Sequence, residues 1–483
     1  MSRLSRHGRK EKAKLEKAMS LAESFADWHA AADSLDALVG NDAWVEHDES
    51  AYYDAALLRT DIAALAKHVA DEDFEALEAT LTESLYRNLA DVTSPELHAR
   101  TYTGETKTLV RRYLAAATDA ILALATAKRP GLTKAKRQER LQRAARAFGR
   151  SALMLSGGAT WGLYHLGIVR ALHAERLLPE VVCGSSMGAI VAAGIGVRND
   201  EELDALLADV GQIHRSPLRL YGVREMLETR SVMDPAQLVE HIEANSGHGT
   251  FAEAHARTGR TLAISVSPTR ARQKPRVLSH LTAPDVLISD ATVASCAVPG
   301  LFPPAKLRSR RGDEEPRPYA PNESWVDGTL QGDLPMSRVG RLHNVNHFIV
   351  SQTNPHVLPF LEASRDDRPS GLATELAVSM ARAQATAVLD TVRRRVSAER
   401  VRPVIDHAHA IAAQQYSGDI LIHPQFKPSM YARVLRNVTE SQLRDFVRDG
   451  ERATWPKLAM VRDHTAVTRT LSMLLRASGG RPD

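Results

Sequence analysis

Two spacings of apolar residues alternate along this chain. From the start to about residue 150, apolar side chains recur every three or four positions, as at Leu57, Ile62 and Leu65, which is typical of amphipathic helices. From Ser151 onward, short apolar runs alternate with helical patterns, and this alternation predicts a parallel sheet with crossover helices. Behind Pro355 the pattern becomes helical again.

These patterns predict an α/β fold of three parts: a helical N-terminal domain at 1–150, a sheet domain at 151–360 and a helical C-terminal extension at 361–483. Within the sheet domain the short apolar runs predict strands, and the longer periodic stretches predict helices. The predicted strands are 152–155, 181–183, 261–267 and 347–351, and the predicted helices are 161–174, 187–195 and a helix starting at Asp234-Pro235, with further helical patterns at 371–396 and 443–475. The stretch 306–321, rich in proline and charge, predicts a surface loop.

The composition is that of a folded globular protein with more than one unit. The chain has 483 residues, of which 43% are hydrophobic and 25% are charged. Because 62 basic residues nearly balance 58 acidic ones, the net charge of +4 gives no reason to expect a nucleic-acid partner. Basic clusters at 3–14 and 128–150 are either solvated helix faces or sites of attraction to anionic lipid headgroups.

The cysteine content and the apolar runs indicate a cytoplasmic protein. Cys183 and Cys296 are the only cysteines, so a disulfide framework and a cysteine metal cluster are not expected. The first residues do not have the pattern of a secretory signal, and the most apolar stretches, 115–127 and 187–197, are shorter than the ~20 residues that span a bilayer. We expect any contact with a membrane or lipid droplet to be peripheral.

The strongest local motif is a G-x-S-x-G sequence at 184–188, between a predicted strand and a predicted helix of small residues. A serine at such a turn has a strained backbone, and Gly184 and Gly188 leave room for the turn and for a substrate. The helix that begins at Met187 directs its partial positive end towards a developing oxyanion. Ser186 is therefore the candidate nucleophile, although the same five letters also occur in ordinary glycine-rich turns.

A second glycine-rich segment, Ser156 to Gly162, also follows a predicted strand and precedes a predicted helix. Consecutive backbone N–H groups at a helix start converge on an anion, so this segment is a candidate oxyanion hole. A phosphate-binding loop is the competing interpretation. The spacing of the glycines fits neither nucleotide-binding pattern, and no lysine stands where a phosphate loop requires one.

A nucleophilic serine needs a group that accepts its proton. Asp327 stands at the end of a later predicted strand, Trp325-Val326-Asp327-Gly328. Aspartate, whose side chain in water has a pKa of about 3.9, is a weak base unless burial raises that pKa or proton removal is concerted with attack. The alternative for an aspartate before glycine is a plain turn residue.

The three segments in this order resemble the patatin-like phospholipase family. The resemblance implies a three-layer fold with a Ser-Asp dyad, in which Ser186 attacks the ester carbonyl and Asp327 takes the serine proton. It further implies an oxyanion hole formed by the backbone amides of Gly157, Gly158 and Ala159. The remaining motif glycines that the resemblance covers are Gly162, Gly184, Gly188 and Gly328. The stretch 291–304 is similar to the family's helix and proline turn between the two catalytic residues.

The resemblance extends over nearly the whole chain. Segments on both sides of the predicted sheet domain are similar to triacylglycerol lipases of lipid droplets and seed oil bodies; these are 35–44, 86–89, 104–107, 416–420 and 450–456. It implies hydrolysis of fatty-acyl esters, of triacylglycerol or diacylglycerol first and of phospholipid or lysophospholipid next. The expected partner is a lipid aggregate or peripheral membrane surface, and neither a cofactor nor a metal is expected.

Three alternatives remain open. Nineteen histidines allow a Ser-His-Asp triad, for which His165 is nearest in sequence, although a buried, hydrogen-bonded histidine is the expected role there; His343, His347 and His356 are weaker candidates. Lysophospholipid acyl transfer is suggested by the H-x4-D spacings 68–73 and 280–285, and by transfer from an acyl-serine to a lipid alcohol. A non-catalytic lipid-binding scaffold is the third. The oligomeric state is not predicted.

Overall fold

A computed structural model describes most of the chain. The described residues are 5–86, 92–127, 133–215, 217–222, 224–226, 231–270, 273–328, 334–355, 357–358, 418–425 and 435–479. The predicted helical stretch 371–396 and the candidate His356 lie outside these residues, as do parts of the similar segments 86–89 and 416–420.

The N-terminal part is helical, as predicted. Its α-helices are α1 (Arg6–Leu21), α2 (Phe25–Val39), α3 (Asn41–Glu46), α4 (Ala55–Ala70), α5 (Phe74–Tyr86), α6 (Thr108–Thr126) and α7 (Lys134–Phe148). Helix α6 is central, because residues such as Tyr113, Ala117 and Ala120 recur on one face and are fully buried. Side-chain caps define several starts, for example Ser24, whose hydroxyl accepts a hydrogen bond from the amide of Asp27.

A mixed sheet follows, so the predicted α/β class is confirmed. Its strands are β1 (Arg150–Leu155), β2 (Val181–Gly184), β3 (Thr261–Pro268), β4 (Arg276–Ser279), β7 (Trp325–Asp327), β8 (Val345–Ser351) and β9 (Ile420–Ile422). The order is β4-β3-β2-β1-β8-β9, with β7 also paired to β3. Strands β3, β2, β1, β8 and β9 are mutually parallel, whereas β4 and β7 run antiparallel to β3. All residues of β1, β2 and β3 are buried, as expected when helices cover both faces.

Further helices lie between and after these strands, and several of them cover the two faces of the sheet. They are α8 (Tyr164–Ala174), α9 (Met187–Gly196), α10 (Asp200–Ala208), α11 (Pro235–Ser246), α12 (Phe251–Thr258), α13 (Ile288–Cys296), α14 (Met336–His343), α15 (Glu440–Thr454), α16 (Leu458–His464) and α17 (Ala466–Ala477). Leu153 and Leu155 of β1 belong to the core beneath α8 and α9, and the alternate residues Ala152 and Met154 pack with the α14 side. The result is three layers.

The C-terminal part does more than extend the fold with helices. It supplies β9 to the sheet, a strand that its helical pattern did not predict. Helix α15 lies against α8 at very short distance: a Cβ atom at Gly167 would lie 1.9 Å from the carbonyl oxygen of Val447, and one at Gly450 would lie 2.3 Å from that of Tyr164. Helix α17 packs into the N-terminal core through Leu471. This part therefore ties the sheet to the N-terminal helices.

The predicted surface loop at 306–321 contains regular structure. Strands β5 (Leu307–Ser309) and β6 (Arg317–Tyr319) form an antiparallel pair there. The proline and charge pattern was therefore wrong for the two ends of the stretch, because cross-strand pairing overrode the local propensity. In the part of the chain that the structure describes, we find no helix with the length and hydropathy needed to cross a bilayer.

Candidate active site

Ser186 lies in a sharp turn between the end of β2 and the start of α9. Its backbone has a φ of 54° and a ψ of −123°, a conformation that costs a residue with a side chain about 1–3 kcal/mol. Its side chain is only partly buried, whereas Ser185 beside it is fully buried. The turn thus presents the Ser186 hydroxyl at the edge of the sheet where the parallel strands end.

The two glycines of the motif are required by close backbone approaches. A Cβ atom at Gly184 would lie 2.1 Å from the carbonyl oxygen of Gly188, and one at Gly188 would lie 2.2 Å from that of Leu155. Both distances are far shorter than van der Waals contact, so no other residue fits without backbone movement. Gly188 thereby lets the first turn of α9 rest on the end of β1, where the second glycine-rich segment begins.

That second segment lies directly beside the serine turn. A Cβ atom at Gly158 would meet the hydroxyl of Thr353 at 2.3 Å, and one at Gly162 would meet the side chain of Met187 at 2.4 Å. Between them Ala159 has a φ of 47°. The backbone of this segment, which includes Gly157, is thus held next to Ser186 and next to the partial positive charge at the start of α9. Amides in this position suit a developing oxyanion.

Asp327 is the last residue of β7, which pairs with β3 at Val266. Strand β4 already occupies one edge of β3 as far as Val266, and β2 pairs with the other edge only as far as Ile264. Strand β7 therefore pairs with β3 on the same side as β2, beyond the point where β2 ends. Measured along β3, the residue that pairs with Asp327 lies two positions, or about 7 Å, beyond the residue that pairs with Gly184. The strand register therefore places the backbone of Asp327 at the same end of the sheet as the turn that carries Ser186.

Ser295, in the last turn of α13, connects the two candidate residues. Its hydroxyl accepts a hydrogen bond of 3.0 Å from the amide of Ser186 and donates one of 2.7 Å to the carbonyl oxygen of Ser265 on β3. Two residues later the carbonyl oxygen of Ala297 accepts a hydrogen bond of 3.1 Å from the amide of Asp327. One short segment therefore holds both backbones.

No sequence pattern singled out Ser295, although the segment 291–304 was noted for its resemblance. The available signal was a serine that interrupts an otherwise apolar helix end. The neighbouring Cys296 is buried, and burial together with the negative charge of Asp327 raises the pKa of its thiol well above the usual value. Cys296 is therefore a neutral neighbour of Asp327. Gly328 is also required here, since a Cβ atom would lie 2.6 Å from the carbonyl oxygen of Ser265.

His165 has the structural role that its position predicts. It is fully buried, and its ring nitrogens lie 2.5 Å from the hydroxyl of Ser351 and 2.9 Å from the carbonyl oxygen of Ser156. Burial lowers its pKa to about 4. The neutral ring of His165 connects the end of β8 with the residue that follows β1. It thereby fixes the start of the glycine-rich segment, so His165 has a structural role at the candidate site.

The other candidate histidines that the structure describes, His343 and His347, lie near the opposite ends of the strands, as does His280 of the second H-x4-D spacing. His347 contacts the hydroxyl of Ser151 near the start of β1, at 3.1 Å. His280 follows the end of β4 and stacks on His255, with 3.8 Å between ring centroids, and His343 packs against His280. None of these positions is at the strand ends where Ser186 lies.

The two H-x4-D spacings are also accounted for by local structure. At the end of α4 the amide of Asp73 donates to the carbonyl oxygen of His68, which closes the helix. Asp285 forms an ion pair with Arg311 at 2.9 Å. Among the residues that the structure describes, no group of three or more His, Cys, Asp and Glu side chains is arranged to hold a metal ion.

Comparison with known proteins gives two family matches. Residues 153–338 match the family described as patatin-like phospholipase, and residues 4–146 match a domain of unknown function, DUF3336. Triacylglycerol lipase ptl3 of Schizosaccharomyces pombe is 31% identical over 93% of this chain and 94% of its own length. Triacylglycerol lipase 4 of Saccharomyces cerevisiae is 32% identical over 95% of this chain, which spans 52% of that protein.

A second relative from Schizosaccharomyces pombe, triacylglycerol lipase ptl2, is 32% identical over 97% of this chain and 75% of its own length. The crystal structure of VipD from Legionella pneumophila aligns with a TM-score of 0.33 and 13% identity, over 65% of this chain and 67% of that one. An alignment this weak adds nothing to the assignment, which the sequence relatives carry.

Proposed function

This chain belongs to the patatin-like phospholipase family, and from that premise we propose that it hydrolyses acyl esters of lipids with Ser186 as nucleophile and Asp327 as proton acceptor. The observation that carries the proposal is the pairing along β3, which leaves Asp327 about two residues beyond the end of β2. The strained backbone of Ser186 supports the same assignment.

The reaction follows from these positions. The hydroxyl oxygen of Ser186 attacks the ester carbonyl carbon while its proton passes to the carboxylate of Asp327. The amides of Gly157, Gly158 and Ala159 stabilise the oxyanion. The tetrahedral intermediate expels the alcohol, which takes the proton from Asp327, and the acyl group remains on Ser186. A water molecule then attacks the acyl-serine and gives a proton to Asp327. The second tetrahedral intermediate expels the Ser186 oxygen, which takes that proton back from Asp327, and the fatty acid is released.

The proposed substrate class is acylglycerol, because the relatives that match nearly the whole chain are named triacylglycerol lipases. Purified protein would be incubated with an emulsion containing triacylglycerol, diacylglycerol and phospholipid, and the released fatty acids assigned to each class. We expect acylglycerols to be consumed first. Consumption of phospholipid alone would contradict this preference.

The nucleophile has its own test. Ser186→Ala should abolish release of fatty acid, and the buried neighbour Ser185→Ala is the matched control because it removes a hydroxyl one residue away. Equal rates for Ser186→Ala and the unchanged protein would refute the proposed function.

We also propose that the rim of the site contacts the lipid surface. A chain of hydrogen bonds leads outward from the glycine-rich segment: the hydroxyl of Thr160 donates to the carbonyl oxygen of Arg436, and the side chain of Asn437 bonds both backbone groups of Leu218. Beside these segments Leu220 is 65% exposed and Leu435 is 42% exposed. Exposed leucines next to a lipid-hydrolysing site suit insertion into an interface.

The rim is tested by binding to triacylglycerol droplets coated with phospholipid, measured by flotation. We expect Leu220→Ser combined with Leu435→Ser to reduce the bound fraction. The control is Leu281→Ser, which removes a leucine of intermediate exposure, 53%, that follows β4 near the opposite ends of the strands. Equal binding of the double variant and the control would rule out this docking surface.

A further inference from the structure

A large recess lies at the amino ends of the parallel strands, between helix α17 and the end of α8. Its free volume is about 860 Å³, within the range of about 300–1,000 Å³ that small-molecule sites occupy. Arg150, the first residue of β1, lines the recess, and β1 ends at Leu155 beside the glycine-rich segment. The length of this six-residue strand, about 16 Å, therefore separates the recess from the strand ends where Ser186 lies.

Helix α17 has two different faces. One face packs into the N-terminal core through Val467, Leu471 and Leu475. The face that borders the recess carries polar side chains at helical spacing, beginning one residue before the helix; these are Thr465, Thr468, Arg469, Ser472 and Arg476. One wall of the recess is therefore a row of hydrogen-bonding groups on a helix whose other face is fixed in a core.

The recess contains more positive than negative charge. It is lined by five arginines and three carboxylates. Each carboxylate already has a partner: the pairs are Glu180 with Arg150 and Arg476, Asp200 with Arg260, and Asp204 with His173. Among the residues that the structure describes, no carboxylate pairs with the two remaining arginines, Arg176 and Arg469. The protein therefore leaves two cations at this recess for another anion.

The guanidinium of Arg469 bonds only neutral oxygens in the described part of the chain. It donates to the hydroxyl of Thr465 at 3.0 Å and to the carbonyl oxygen of Arg462 at 2.9 Å. Burial, and next the positive charge of Arg462, lower the pKa of Arg469, whereas Asp463 raises it to a smaller extent. A partly buried cation without a counter-ion is costly, so a bound anion would stabilise it.

Arg176 lies in the turn that ends α8. Its backbone has a φ of 55°, and its amide donates to the carbonyl oxygen of His173 at 2.9 Å. Glycine and asparagine adopt this conformation at less cost than arginine. The side chain is exposed and borders the recess. The chain thus has a long cation at a backbone position that favours a small residue.

We propose that this recess binds a phosphate monoester, with Arg469 and Arg176 contacting the phosphate and the hydroxyl of Ser472 as a further donor. A guanidinium presents a planar fork of N–H groups that matches phosphate oxygens. A phosphate monoester carries a charge of about −1.5 to −2 at pH 7, which corresponds to the two arginines without carboxylate partners, whereas a carboxylate carries a single charge.

The remainder of the ligand has apolar surface to contact. Leu177, Leu178 and Met473 also line the recess, and Met473 is 54% exposed. A phosphate attached to an organic group therefore fits the recess better than free phosphate does. The site goes beyond the proposed hydrolase function and does not rest on it, because none of the candidate catalytic residues lines the recess.

Two sources supply this chemistry, a soluble phosphate ester and a lipid headgroup, and a matched pair of probes distinguishes them. Glycerol 3-phosphate and dihexanoylphosphatidic acid share the glycerol phosphate and differ in their acyl chains, and glycerol is the uncharged probe. Binding is measured by titration calorimetry with the full chain carrying Ser186→Ala, so that the ester bonds of the lipid probe stay intact.

We expect a phosphate probe to bind, glycerol not to bind, and the affinity to fall with added salt because the charges are screened. The phosphate probe that binds more tightly identifies the source. Absence of binding by both phosphate probes at about 10 mM would overturn the inference.

Arg469→Gln tests whether binding occurs in the recess. The Kd of the tighter probe should rise at least tenfold, since hydrogen bonds between charged groups are the strong ones. Arg469→Lys keeps the charge without the planar fork, so its Kd should lie between the two. The control is Arg112→Gln, which removes an exposed arginine of α6 that does not line the recess.

Arg176→Asn covers the case in which Arg469→Gln does not fold. Asparagine tolerates the left-handed backbone of this turn, so the variant removes the cation without adding strain. Its Kd should also rise, and Tm checks the fold of each variant. An unchanged Kd in either folded variant, or an equal rise in Arg112→Gln, would overturn the inference.

Discussion

The carboxyl ends and the amino ends of the parallel strands differ in backbone conformation and in polar contacts. Where β1 and β2 end, the chain turns in unusual conformations at Ala159 and Ser186, and small residues permit close contacts. Where β1 begins, Arg150 is paired with Glu180, which also pairs with Arg476 at 2.8 Å. At the carboxyl ends of the strands the backbone is locally strained, whereas at the amino ends charged side chains form stabilising ion pairs.

The histidines sharpen this contrast. At the strand starts His347 contacts Ser151 and, at 3.2 Å, the ring of His464. Burial lowers the pKa of both histidines. The candidate catalytic groups of this fold therefore lie at the carboxyl ends of the parallel strands, where loops and helix starts converge, and the amino ends carry structural contacts. Four predictions test this division, in order of decreasing effect.

The largest effect is expected for Asp327→Asn. An amide of the same shape cannot accept the proton of Ser186, so kcat should fall by roughly 10⁴-fold, the loss seen when the aspartate of a serine-protease triad is replaced by asparagine. Steady-state hydrolysis of a soluble ester measures this, and Tm checks the fold. The control is Asp313→Asn in an exposed turn. Full activity of Asp327→Asn would remove the dyad and return a histidine base to consideration.

Gly188→Ala tests whether the turn around Ser186 depends on close backbone approach. The added methyl group would lie 2.2 Å from the carbonyl oxygen of Leu155, so we expect a loss of about 3 kcal/mol or more in the free energy of unfolding, together with loss of activity. Denaturant unfolding gives the free energy. Gly194→Ala on the same helix is the control for stability, since its methyl group meets no atom closer than 3.7 Å. Equal losses in both variants would contradict this account.

Ser295→Ala should affect catalysis more than stability. It removes the hydroxyl that accepts the amide hydrogen of Ser186, a hydrogen bond worth about 1–2 kcal/mol, so kcat should fall about tenfold with little change in KM. Ser289→Ala, another buried serine of the same helix, is the matched control. A drop in Tm with an unchanged kcat would assign Ser295 a purely structural role.

The smallest effect is a pH dependence of stability at the opposite edge. Burial first, and then the neighbouring His347 and His98, lower the pKa of His464 to about 2, against about 6.5 in the unfolded chain. The unfolded chain therefore binds the extra proton below pH ~6.5, and stability falls with decreasing pH by up to about 1.4 kcal/mol per pH unit for this group. His464→Gln should flatten the curve between pH 6.5 and 5.

The control for that experiment is His7→Gln on the exposed side of α1. Denaturant unfolding at several pH values gives the slope for each protein. An identical slope for His464→Gln and the unchanged protein would show that His464 does not contribute to the pH dependence of the free energy of unfolding.

Much of the fold is predictable because its signals are local. The period of the apolar residues located the N-terminal helices, and strand-turn-helix punctuation located the segments around Gly158 and Ser186. In both turns the glycine positions follow from close contacts between residues near in sequence or on adjacent strands. Asp327 was found from a strand end, and its role rested on resemblance. The roles of these residues in catalysis stay predictions.

The local sequence specifies where the chain bends and which short segments are helix or strand, because φ/ψ preferences and side-chain periodicity act over a few residues. Long-range packing, in contrast, places β7 beside β3 beyond the end of β2, brings Ser295 to the backbone of Ser186, and adds β9 from the far C-terminal part to the sheet. These arrangements depend on strand register and on packing between distant segments. Neither leaves a periodic trace in the local sequence.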